Sequence, residues 1–196
     1  MGEMKSAYER AMERVAKLEE PSEEELLKWK YVPEGQRLAA DYLKEEGNLV
    51  ADVGKYGEEA RRFVVEGADE ILLRAIGLPE NEAAKMKSKR AMEGIKEMKA
   101  DKAALENVYT KMRRLFEHYE TDGGQQKRQA YETLKQSFEA RMQQAIRQQG
   151  GVPPGARISV ETQPQFQEEL RRTLAQLDSQ YLKLLDEHRQ EISQLR

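Results

Sequence analysis

No cysteine occurs among the 196 residues, which removes disulfides and thiolate metal sites and permits a reducing compartment. Glycine and proline are few, 13 and 6, and aromatic residues make up 7%, whereas 35% of the chain is charged and 38% hydrophobic. That balance suits long, solvent-washed helices and disfavours sheet. The expected fold class is all-α. No apolar run approaches the roughly 18 residues that a membrane span needs, and the opening MGEMKSAYERAMER lacks the apolar core of a signal peptide. A cytoplasmic protein without a membrane partner is expected.

Histidine is equally sparse. His118 and His188 are accompanied by neither an HExxH nor a carboxylate-plus-ExxH pair, so the sequence supplies no metal site. The run Glu19, Glu20, Glu23, Glu24, Glu25 lacks the Asp/Asn and Gly positions of a calcium loop and reads as a solvated helix start. Around Gly54, Lys55 and Gly57 the phosphate-loop pattern is incomplete, and no nucleophile, base and orienting group assemble anywhere. No cofactor and no enzymatic activity are expected.

What is present is helical periodicity. Met4, Tyr8, Ala11, Val15 and Leu18 recur at four and three, the seam of a helix packed on another helix, and Pro21 ends it. Ser22 with Glu25 forms a capping box for a short helix carrying Leu26, Leu27 and Trp29, and Pro33 then marks the start of a further helix that Gly47 stops. Residues 48–57 are ambiguous, and 58–76 carry one apolar side. Gly77, Leu78 and Pro79 punctuate the chain, dividing a small N-terminal helical domain, 1–78, from a long-helix antiparallel, coiled-coil-like bundle, 79–196.

In the second part the rhythm lengthens. Ala91, Ile95, Met98, Lys102, Leu105, Tyr109, Met112, Phe116 and Tyr119 predict one helix over about 80–121, roughly 60 Å at 1.5 Å per residue. Gly123 and Gly124 are the predicted break. Tyr131, Leu134, Phe138, Met142 and Ile146 mark the next helix, and a last one begins near Pro164 with two apolar lines, one through Phe166, Tyr181 and Leu184 and the other through Leu182, Leu185 and Ile192. Two lines on one helix imply two neighbours, which favours a homo-oligomer, a dimer first.

The connection at 150–164 reads differently. Gly150, Gly151, Pro153 and Pro154 end the helix, and Ala156, Ile158 and Val160 alternate with Arg157, Ser159 and Glu161 as in an extended segment with one covered face. Either this face covers the end of the bundle or meets its copy in a second subunit, or it presents an apolar edge to a protein partner through Ile158 and Val160 with Arg157 orienting the approach.

Net charge is −3, which gives no global attraction to nucleic acid. Locally, residues 85–114 are basic, and Lys87, Lys89, Arg90, Lys96 and Lys99 are candidate phosphate contacts. Taken together, MKSAYERAMERVAKL, YVPEGQRLAADYL and QPQFQEELRRTLAQLDSQYLKLLDE resemble a small family of uncharacterised bacterial all-helical proteins. The resemblance implies a cytoplasmic, all-helical protein with no established activity or site. The sequence favours a non-enzymatic, self-associating helical scaffold or adaptor for another protein, with nucleic-acid association through the basic segment as the alternative.

Overall fold

A computed structural model describes residues 21–148 and 159–195 of the chain. The seam expected at Met4, Tyr8, Ala11, Val15 and Leu18 lies outside the described residues. Regular structure is helical throughout, with no strand among the described residues, and the fold class is all-α. The chain forms two compact units, Met1–Ile71 and Leu72–Arg196. No described helix is long and apolar enough to cross a membrane.

The first described helix of the first unit is α1, Glu23–Leu43. The Ser22 hydroxyl accepts the Glu25 N–H at 3.2 Å, and the Glu25 carboxylate accepts the Ser22 N–H at 2.8 Å, closing the capping box. That backbone hydrogen bond, with one from the Ser22 hydroxyl, holds the Glu25 carboxyl below its usual range. The helix does not restart at Pro33, as expected, but runs through it. Proline removes one backbone donor, and since Pro33 is exposed, water is at hand for the carbonyl left over. Glu45 and Gly47, at φ 70° and 103°, then turn the chain. Asn48 caps the short α2, Leu49–Val53, which resolves the ambiguous stretch, and α3 spans Glu58–Ala75.

Helices α1 and α3 meet main chain to main chain. A Cβ on Gly35 would lie 1.9 Å from the Val64 carbonyl oxygen, and one on Gly67 would lie 2.1 Å from that of Val32. Ala39, Val64 and Ala68, all fully buried, continue this small-residue crossing. Lys28 to Glu66 at 2.6 Å and Arg62 to Glu24 at 3.1 Å flank it, their numbers advancing together, so both helices run in the same sense.

In the second unit, α4 (Glu82–Met98) and α5 (Lys102–His118) replace the single long helix predicted over 80–121. Lys99 adopts an extended conformation, and the Asp101 carboxylate caps α5 by accepting the Ala104 N–H at 2.9 Å. The apolar rhythm conceals this turn because both arms keep their phase: Ala91 and Ile95 are buried on one side of it, Leu105, Val108, Tyr109 and Met112 on the other. Conversely, Gly123 and Gly124 do not break the helix. A π-helical turn, Tyr119–Gly123, joins α5 directly to α6, Gly124–Gln148. Together they make one rod of about 70 Å at 1.5 Å per residue. A Cβ on Gly123 would come within 3.1 Å of the Tyr181 hydroxyl, so glycine here supplies room for an aromatic ring.

A 3₁₀ turn, Val160–Thr162, leads into α7, Pro164–Ser193, with Pro164 in its first turn as expected. This helix runs antiparallel to the rod. Phe166 packs edge-on against Tyr131 and Phe138, Tyr181 against Tyr119, and Glu191 receives Lys111 at 2.8 Å. Among the described residues, one end of the unit therefore has three helices, α4, α5 and α7, and the other has α6 and α7.

Candidate functional site

Among the described residues, the far end of the second unit is a pair of helices, α6 and α7. Along the 25 residues of α6 none is fully buried; Leu134, Phe138, Met142 and Ile146 are partly exposed. The Phe166 ring is the clasp, its centroid 5.9 Å from that of Tyr131 and 5.4 Å from that of Phe138. Glu161 adds a polar clasp by accepting the Tyr131 hydroxyl at 2.7 Å and the Lys135 ammonium at 2.8 Å. Those bonds, Lys135 first, hold the Glu161 carboxyl below its usual range, and the bond to Glu161 raises the Tyr131 phenol.

On α7 the two apolar lines read from the sequence are partly merged. Tyr181, Leu185 and Ile192 are buried on a common side, whereas Leu182 and Leu184, one from each line, are 46% and 45% exposed. Apolar spacing alone does not tell which leucines meet a neighbour in the same chain.

Of the residues nominated for a protein partner, Arg157 and Ile158 lie outside the described residues. Val160 is 4% exposed, seated in the 3₁₀ turn where it packs on α6 and α7. Buried there, its side chain is not available as an outward contact.

The basic segment is likewise partly committed. Lys99 is 8% exposed and donates to the Leu195 carbonyl at 2.8 Å, which removes it as a phosphate contact. Lys96 pairs with Glu106 at 3.4 Å, and Arg90 has a partner within the chain. Lys87 and Lys89 remain exposed cations with no ion pair among the described residues. Nucleic acid would thus meet a discontinuous row of positive charge.

A polar cluster sits at the π turn. Lys127 donates to the Tyr119 hydroxyl at 2.6 Å and lies 2.6 Å from an Asp178 oxygen, with both side chains of this ion pair mostly out of solvent. Burial raises the Tyr119 phenol despite the lysine beside it; burial pulls Lys127 down, but its bonds to Asp178 and Tyr119 outweigh that and leave it raised. Next to it the Tyr181 hydroxyl lies 2.9 Å from His118 Nδ1, and His118 Nε2 is 3.6 Å from Asp122. His118 and Asp122 are more than half exposed, so this string joins two helices at the surface rather than activating a buried nucleophile. Among the described residues no group of three or more metal-ligating side chains is placed to hold an ion.

The family comparison covers most of the second unit. The chain belongs to a family of unknown function, DUF6657, whose model matches residues 50–194. No curated protein matches, and no solved structure does.

Proposed function

We propose that this chain is a non-enzymatic cytoplasmic helical protein that self-associates through α6 and α7 and serves as a scaffold or adaptor for another protein. The observation that carries the reading is α6 itself, a 25-residue helix with no buried residue. Isolated helix pairs of this kind gain little apolar burial, and a second pair laid across them completes a four-helix bundle. A strip about 38 Å long and two helices wide offers roughly 750 Å² per partner, close to the ~800 Å² of a standard stable interface.

A two-fold arrangement sets α6 of one copy over α7 of the other and α7 over α6. Light scattering on the eluting full chain should then give twice the 22.7 kDa mass. Replacing Leu134 and Met142 together by Glu should return it to the single mass with helicity retained. A wild-type chain that stays monomeric at high concentration would overturn the reading.

A further inference from the structure

The hairpin of α4 and α5 encloses a groove of about 500 Å³, within the size range of small-molecule sites. Its floor is apolar: Met92, Tyr109 and Phe116, with Pro79 at one end. Tyr109 is buried, and its hydroxyl donates to the Met92 carbonyl at 2.7 Å, tying the two walls beneath the opening. Ser88 fixes the Gly77 end by accepting its N–H at 2.9 Å and donating to its carbonyl at 3.1 Å. The groove is therefore held open by hydrogen bonds that are already made.

Ion pairs bound it at both ends. Lys85 reaches across to Glu120, and Lys96 and Arg113 converge on Glu106. From Lys85 to Lys96 is about 16 Å along the helix at 1.5 Å per residue. Between those gates stands Lys89, exposed and without an ion pair among the described residues, with Glu93 as the nearby lining carboxylate on the same helix. The lining carries four cations against three carboxylates, one positive charge in excess, and Lys89 is the lining cation outside these ion pairs.

We propose that this groove binds a small monoanion with an apolar body, its acidic group on Lys89 and its apolar part over Met92, Tyr109 and Phe116. A closed-ended, apolar-floored slot of this length excludes a long peptide helix and matches a compact amphiphile. The central cation sets the sign of the ligand, and Glu93 limits it to low charge. The inference does not depend on self-association, which involves other helices.

The probe is 1-anilinonaphthalene-8-sulfonate, an aromatic monoanion whose fluorescence rises in apolar sites, titrated into the full-length chain. One saturable site displaced by decanoate is expected. Lys89→Gln should weaken binding about tenfold, as loss of one charge-assisted hydrogen bond does, and Glu93→Gln should tighten it roughly twofold to threefold by removing a like charge. Lys87→Gln, on the same helix but outside the lining, should leave it unchanged, and matched circular-dichroism melts establish that each variant folds. Equal effects of Lys87→Gln and Lys89→Gln would overturn the proposal. So would binding that ignores Lys89 and Glu93 but disappears when Leu134 and Met142 are replaced by Glu, because the dye would then be reporting the open face of α6.

Discussion

Where α1 crosses α3, one added methyl group would meet main chain at 1.9 Å; along α6, 25 residues pass without one being buried. Both are contacts between helices, yet the first is made by residues with almost no side chain and the second by long ones. Glycine inside a helix costs about 1 kcal/mol relative to alanine, and Gly35 and Gly67 offset that by bringing two backbones together. Leu134, Phe138 and Met142 obey helical periodicity well and nevertheless stay partly exposed. A strong apolar pattern reports the direction of a helix face, whereas burial requires something on the other side.

The largest effect should come from the tight crossing. Gly35→Ala forces α1 off α3 and should cost about 3 kcal/mol or more, in the upper range for overpacking. Native-state hydrogen exchange would show protection lost over 23–71 and kept over 102–193, and unchanged protection in the Gly35→Ala variant would break the comparison from its tight side.

Next comes the contrast within the rod. Leu185→Ala, at a fully buried site, should cost about 3 kcal/mol in urea unfolding. Leu134→Ala, at a partly exposed site, should cost about 1 kcal/mol when measured on the monomer. If Leu134→Ala costs as much as Leu185→Ala in dilute solution, α6 is covered within a single chain and the open face does not exist.

The smallest effect concerns the polar cluster between the two ends. Lys127 and Tyr119 both titrate above their ordinary values in the folded chain. The unfolded chain therefore releases these protons first as pH rises. Their contribution is fully present below about pH 10 and is lost as pH climbs through the folded values. Urea unfolding stability should fall above about pH 10, by less than the cost of Leu134→Ala. In the Lys127→Met, Tyr119→Phe double variant the decline should be shallower; an unaltered slope would mean that the cluster does not hold the ends together.

Features written in neighbouring residues were legible from the sequence. Ser22 with Glu25 and Pro164 each mark a helix start through interactions that span a single turn, and both starts stand where expected. The turn at Lys99 was not legible, because the apolar phase continues across it and masks the local cap that Asp101 makes with the Ala104 N–H. The glycine crossing left no trace either, since a residue without a side chain marks no face. Of the candidate site residues, Lys96 and Lys99 read as free cations from their own neighbourhood. Their partners, Glu106 and the Leu195 carbonyl, are supplied by another helix and by the far end of the chain.

The π turn at Tyr119–Gly123 can be regarded as a phase shifter in an otherwise continuous screw. Each residue of a helix advances it by about 100°, so deleting one residue at Gly124 would leave the α5 half undisturbed and rotate the Tyr131 and Phe138 rings by that angle. The length of this one turn, rather than any side chain in the distal half, sets the azimuth at which α6 faces the outside.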